Sequence, residues 1–231
     1  MPTPRLVLCS LLLGAPLLSH AQSAPTLPRY YVGLSAYSSE YQPLSGNYRN
    51  GFTLPVQLTL GYQLRPRLAV QVSVAYSGSS YEYADVGKYY TGSGSAASPY
   101  AYFEYSGKSS TSMTSIGLLG RYTLTRQPTH HLQFDILGGF TLATRRATDR
   151  YTRTDSDSTR AANVTTNSDI HFQQSTLLLT LGGSARYRFG QHLEGVFDMA
   201  ANSIVLPDRR GTWSPGITGS AALGLRYRFG H

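Results

Sequence analysis

Three features of the sequence predict an all-β fold, an eight-stranded antiparallel up-and-down transmembrane β-barrel. Apolar and polar residues alternate with period two, the alternating runs are long, and the connections between them alternate between short and long. Helical spacing is nearly absent beyond the N-terminal segment.

The chain of 231 residues opens with Arg5, the apolar run Leu6 to Leu18 and the small-x-small site Ser19-His20-Ala21. This order predicts a cleaved signal peptide over residues 1–21 and export of residues 22–231 as one barrel domain. Cys9, the only cysteine, falls in the segment to be removed, so the exported part has no thiol, disulfide or Cys-based metal site. Leu8 stands before it where a lipoprotein would carry a small residue. No later run is apolar for long enough to form a transmembrane helix. The formal charge of +8 suggests an anionic partner, but only Lys88 and Lys108 are lysines and the arginines are scattered. Nucleic acid is therefore excluded as a partner, because counterion release needs a contiguous basic footprint.

The first strand is expected over Arg29 to Tyr41. In the second, Leu54, Val56, Leu58, Leu60, Tyr62 and Leu64 share one face, and Gln57, Thr59, Gly61 and Gln63 share the other. The third repeats the pattern, with Leu68, Val70, Val72, Val74 and Tyr76 opposed to Ala69, Gln71, Ser73 and Ala75. The remaining five are read over Ser112 to Leu124, Leu132 to Arg145, Gln174 to Phe189, Leu193 to Val205 and Ile217 to Phe229. Ordinary strands average about 5–6 residues. A tilted strand crossing a bilayer needs about 9–11, and the eight segments suit that second class.

Short connections follow the second, fourth and sixth strands: Arg65-Pro66-Arg67, Thr125 to His131 and Gly190-Gln191-His192. The others are longer: Gln42 to Gly51, Glu82 to Thr111, Arg146 to Gln173 and Leu206 to Gly216. Tight periplasmic turns and long external loops give this asymmetry, which puts both termini on the periplasmic side of the outer membrane.

Arg-Tyr-Arg-Phe-Gly occurs twice, at Arg186 and at Arg226. On the alternation, Tyr62, Tyr122, Tyr187, Phe189, Tyr227 and Phe229 face outward near the ends of even-numbered strands, forming a periplasmic aromatic girdle. Arg186, Arg188, Arg226 and Arg228 then face inward. A soluble barrel also alternates, but its solvent face is usually rich in Lys and Glu. Here the polar faces are mostly Gly, Ser, Thr, Gln and Ala, which suit a narrow lumen. Turning the sheet over would put those arginines in lipid at about 0–4 kcal/mol each, depending on depth.

With its strand number, its loop pattern and the terminal strand GLRYRFGH, the chain from residue 22 onward resembles the eight-stranded bacterial outer-membrane β-barrel proteins, the group that includes the OmpA transmembrane domain and OmpX. The resemblance implies a non-enzymatic protein without cofactor or metal, set among outer-membrane lipid and lipopolysaccharide. It also implies recognition of a terminal aromatic residue by the barrel assembly machinery. Here Phe229 is followed by Gly230 and His231, so that signal is displaced.

The simplest turn geometry puts Leu124 opposite Leu132 and Arg121 opposite Asp135. It also puts Phe189 opposite Leu193 and Arg188 opposite Glu194, with Asp198 in reach of Arg186 or Arg226. Inward charges are costly unless paired. A lumenal charge network of Arg121, Asp135, Arg186, Arg188, Glu194, Asp198, Arg226 and Arg228 that plugs the barrel is therefore expected. The alternative is a small channel for polar or hydrophobic solutes, with the same residues as a selectivity ring.

Other polar groups read as solvated. His130 and His131 sit on a turn without carboxylates nearby, and Asp149, Asp155, Asp157 and Asp169 are interleaved with arginines. A calcium loop would need a Gly and a distal Glu that are missing. The spacing of Asp169, His171 and Ser175 fits no nucleophile motif. Loops 82–111 and 146–173 are the candidate surfaces for an external ligand; around the first, Tyr81, Tyr83, Tyr102 and Tyr105 are expected to extend the strands past the membrane, and Tyr89, Tyr90 and Tyr100 stand among small residues at the tip.

Overall fold

The computed structural model describes residues 29–40, 42, 45–47, 51–90, 100–127, 130–156, 163–206 and 217–230. The signal segment 1–21, Asp157 and residues 207–216 of the fourth long connection lie outside them. Ten strands occur in chain order: β1 (Tyr30–Ser39), β2 (Ser45–Asn47), β3 (Gly51–Thr53), β4 (Val56–Arg65), β5 (Leu68–Tyr90), β6 (Tyr100–Thr123), β7 (Leu132–Ser156), β8 (Asn163–Arg188), β9 (Leu193–Leu206) and β10 (Ile217–Phe229). Strands β2 and β3 form a small separate hairpin. The other eight close into an antiparallel ring in the order β1-β10-β9-β8-β7-β6-β5-β4.

Closure occurs at β1, which pairs with β10 on one side and β4 on the other, so Tyr30 lies opposite both Phe229 and Tyr62. A closed ring leaves no edge within the membrane zone, which satisfies the backbone where water is absent. The outside of the ring is apolar: Leu60, Val72, Leu118, Phe140, Leu181 and Leu225 are all exposed, Leu118 at 59% and Leu181 at 63%. On β7 this outward series runs from Leu132 to Leu142, matching the about 9–11 residues that a tilted strand needs to cross a bilayer. Inward positions hold Gln71, Ser73, Ser115, Arg121, Asp135, Thr180, Arg186 and Glu194, all buried. No helix among the described residues is long and apolar enough to cross a membrane.

Two expectations need correction. The strand extension expected at Tyr81, Tyr83, Tyr102 and Tyr105 goes much farther: the segments expected as loops, 82–111 and 146–173, are largely strand. β5 and β6 pair from Leu68 with Tyr122 out to Tyr90 with Tyr100, and β7 pairs with β8 out to Ser156 with Asn163. Period-two polarity marks a strand only where its faces meet different media. Past Tyr76 the apolar side changes, so the pattern that identified the membrane strands breaks although pairing continues. β4 pairs with β5 only as far as Tyr76, and β9 with β8 only as far as Leu177. A four-stranded wall, β5 to β8, therefore projects beyond the ring.

The second correction is the β6–β7 register. Thr123, not Arg121, lies opposite Asp135, and Arg121 lies opposite Leu137. The connecting segment is thus longer than the simplest hairpin, with Thr125 Oγ1 accepting from the Phe134 amide at 3.0 Å and Leu124 N donating to Phe134 O at 2.8 Å. At the next short turn Arg188 lies opposite Glu194.

Candidate functional site: the lumenal charge cluster

Alternation along five strands delivers the charged side chains to one level of the lumen. Odd positions of β6 and β7 face inward, as do even positions of β8, β9 and β10, so Arg121, Asp135, Arg186, Glu194, Arg226 and Arg228 converge. Arg121, at 3% exposure, uses every face of its guanidinium. Nη1 donates to Asp135 Oδ2 at 2.8 Å and to Ser184 Oγ at 2.7 Å, Nη2 to Asp198 Oδ2 at 3.0 Å, and Nε to Gln71 Oε1 at 3.1 Å. The two-residue offset in register is within the reach of this long side chain, so the Arg121–Asp135 pair forms diagonally rather than directly across.

Asp135 is shared. Arg186 Nη2 donates to its Oδ1 at 2.6 Å and to Thr123 Oγ1 at 2.9 Å. Asp198 meets Arg121 rather than either of the partners expected from the sequence, Arg186 and Arg226. Glu194, 1% exposed, faces four arginines: Arg188 Nε at 3.1 Å, Arg228 Nε at 2.9 Å, Arg226 Nε at 3.0 Å and Arg186 Nη1 at 3.5 Å. A buried carboxylate with several cationic donors compensates much of its desolvation. Five arginines nonetheless meet only three acids.

Three participants carry no sequence signal of their own. Tyr31 places its ring under Arg226, whose Cζ lies 4.3 Å from the ring centroid, and donates its hydroxyl to Gln71 Oε1 at 3.1 Å. That ring lies against Gly61, where a Cβ would come within 1.9 Å of Tyr31 Cζ, so the space for the tyrosine exists only because residue 61 has no side chain. Gln42, assigned from the sequence to an external loop, instead turns inward and is 1% exposed. Its Nε2 donates to Met113 O at 2.9 Å, and its Oε1 accepts from Ser115 Oγ at 2.7 Å. Its backbone exchanges bonds with Ser39 at 3.0 and 3.1 Å. Gln42 thus sits in the lumen toward the long-loop end, while the arginines occupy the short-turn end.

Cavities along the axis between these groups are small, about 40 Å³ beside Thr141 and Asn202 and about 20 Å³ beside Gly33 and Arg226, enough for one or a few waters each. A vestibule of about 430 Å³ opens at the other mouth, lined by Glu40, Met113, Arg145 and Gln174.

Outside, the aromatic residues gather at the short-turn level. Tyr122, Tyr187, Phe189, Tyr227 and Phe229 are exposed, and Tyr62 is half-buried against Tyr30 at 5.0 Å between ring centroids. Tyr187 packs on Phe189 at 5.2 Å. His131 and His192, one from each of two turns, stack on Tyr187 and Tyr227 at 6.0 and 5.6 Å, and each contacts a carbonyl, of Arg188 and of Arg228. The duplicated pentapeptide therefore builds the same local arrangement twice: tyrosine outward under a histidine, arginines inward toward Glu194.

His171 Nε2 meets Asp169 Oδ1 at 3.1 Å, but Ser175 Oγ pairs with Thr144 Oγ1 at 3.1 Å. Four residues apart on one strand, His171 and Ser175 are separated by about 13 Å, so no acid–base–nucleophile relay is assembled. Among the described residues no group of three His, Cys, Asp or Glu side chains is placed to hold a metal ion.

A closed ring of eight strands, apolar outside and ionic inside, defines a membrane-spanning β-barrel with an occupied lumen. No protein-family model matches the chain, and no characterised protein matches it in sequence. Solved structures similar to it include the N-terminal β-barrel domain of Pseudomonas aeruginosa OprF, with 12% identity, 88% of this chain and 98% of that chain covered, and a TM-score of 0.44. P. aeruginosa OprG has 13% identity, coverage of 89% and 97%, and a TM-score of 0.41. Ail, the attachment invasion locus protein of Yersinia pestis, has 13% identity, coverage of 87% and 97%, and a TM-score of 0.37.

Proposed function

We propose that the protein is a non-enzymatic outer-membrane barrel, exported through a signal peptide over residues 1–21, whose plugged lumen anchors an external β-wall that presents a binding surface. The observation that carries the plug is Glu194, sealed among Arg186, Arg188, Arg226 and Arg228 across the short-turn half of the lumen. Gln42 adds a neutral closure toward the opposite end. Small axial cavities favour this reading over a channel for polar or hydrophobic solutes. The eight-residue network and the aromatic girdle take the structural roles of plug and interfacial anchor, in contact with outer-membrane lipid and lipopolysaccharide. On this reading both termini are periplasmic, and insertion depends on the barrel assembly machinery.

The surface for an external ligand is the projecting part of β5 to β8, which includes most of 82–111 and 146–173. It is held by a ladder of rings, Tyr83 to Tyr105 at 5.3 Å and Tyr105 to Tyr151 at 5.0 Å, with Tyr83 Oη donating to Asp149 Oδ1 at 2.7 Å. Planar-bilayer recording tests the plug: the purified protein is expected to give no steady conductance, and an ohmic current would refute it. Fractionation followed by electrophoresis with and without boiling tests the location. The folded protein is expected in the outer membrane with a heat-dependent mobility.

A further inference from the structure

At the short-turn mouth the lumen ends in a cavity of about 60 Å³ lined by Arg67, Arg126, Arg186, Arg188, Arg228 and Gln63, together with Gln133 and threonine hydroxyls. No carboxylate is among its lining residues. The acids nearest to it are already engaged. Glu194 is shared among four arginines and Asp135 between two. Arg67 and Arg126, from two different turns, add positive charge at the rim and are tied together by Arg67 Nη2 donating to Arg126 O at 3.2 Å.

We propose that this mouth is a binding site for a single oxyanion of the phosphate class. The chemistry is that of convergent guanidinium forks on tetrahedral oxygens, with the hydroxyls of Thr123 and Thr125 as neutral donors. The space holds several waters, or in their place one anion of five heavy atoms. An anion there offsets the surplus of arginine over acid in the cluster, which lies in a region of low dielectric where uncompensated charge is costly. The recess lies inside the ring, so it is reached from the aqueous side of the mouth. An inorganic phosphate enters freely, whereas a phospholipid must bring its headgroup over the rim.

The site does not depend on whether the barrel conducts, and its test is separate. Isothermal titration of the folded protein in zwitterionic micelles with inorganic phosphate, at constant ionic strength so that screening does not change, is expected to give one saturable site. In the double variant Arg67→Gln/Arg126→Gln affinity should fall by about tenfold or more, with the heat-dependent gel mobility retained, since neither side chain contacts Glu194 or Asp135. Absence of saturable binding, or an unchanged affinity in a folded double variant, would overturn the proposal. A second arm separates sources: loss of the phosphate signal in phosphatidylglycerol bilayers but not in phosphatidylcholine bilayers identifies a headgroup as occupant. Equal binding in both identifies the free anion.

Discussion

Strands β5 to β8 each have two halves that share register but reverse polarity. Within the ring, Val72, Leu118, Phe140 and Leu181 face out while Gln71, Arg121, Asp135 and Thr180 face in. Farther along the same strands the outward positions are Glu82, Lys108, Arg150 and Asp169, paired as Glu82–Lys108 at 3.3 Å and Arg150–Asp169 at 3.2 Å. The inward positions there become Tyr83, Tyr105 and Tyr151. No register shift intervenes between β5, β6, β7 and β8. The pleat fixes which residues share a face. The medium that the face meets decides whether that face is oily or polar. Where lipid gives way to water outside, the charges move outward, and the rings take the other side.

If that contrast is right, charge should matter most where it is enclosed. Glu194→Gln would leave Arg186, Arg188, Arg226 and Arg228 facing one another around a neutral amide. Removing one partner of a buried charge group costs about 3–5 kcal/mol, so the largest loss of stability among these variants is expected here, measured by denaturant unfolding in micelles. A loss under about 1 kcal/mol, the range of exposed pairs, would mean that the cluster is solvated and the lumen open.

The outer faces sharpen the comparison further. Leu118→Arg puts a cation in the apolar belt at about 2–4 kcal/mol if near mid-depth, whereas Ser106→Arg, on the same face of β6 in the projecting wall, should be near neutral. Equal costs would show that both positions meet water. Gly61→Ala is expected to cost about 1–3 kcal/mol through overpacking, because Tyr31 must leave its place below Arg226. Loss of the Tyr31 contact would be read by tyrosine fluorescence as well as by unfolding.

The eight-stranded ring was legible in the sequence because each membrane strand meets lipid on one side and a polar lumen on the other, the condition under which period two is clearest. The projecting wall was legible only at Tyr81, Tyr83, Tyr102 and Tyr105, whose rings mark an extension of β5 and β6. Ser77 to Ser80 and Ser109 to Thr111 are small and polar on both faces, so nothing in their order separates strand from loop. The β6–β7 register departs from that of the simplest hairpin because Thr125 holds a longer connection through the Phe134 amide. At the β8–β9 turn, Arg188 and Glu194 stand opposite one another, with Phe189 N donating to Leu193 O at 3.0 Å to close a tight turn. Gln42 was invisible for another reason. Its inward course follows from a backbone reversal at Ser39, and a neutral amide in a polar segment marks no face.

The smallest effect belongs to the wall. Tyr83 ties three strands together: it stacks on Tyr105, donates to Asp149 Oδ1 at 2.7 Å, and lies over Gly107, where a Cβ would come within 2.5 Å of its Oη. Tyr83→Phe keeps the ring and removes the donor, so about 1 kcal/mol is at stake. Because β4 and β9 do not pair with this part of the sheet, the loss should stay local. Faster protease cleavage between Glu82 and Lys108 is expected, with the unfolding midpoint of the ring unchanged. Were the midpoint to fall along with the protection, wall and ring would be one cooperative unit, and the division drawn at Tyr76 would be one of environment alone.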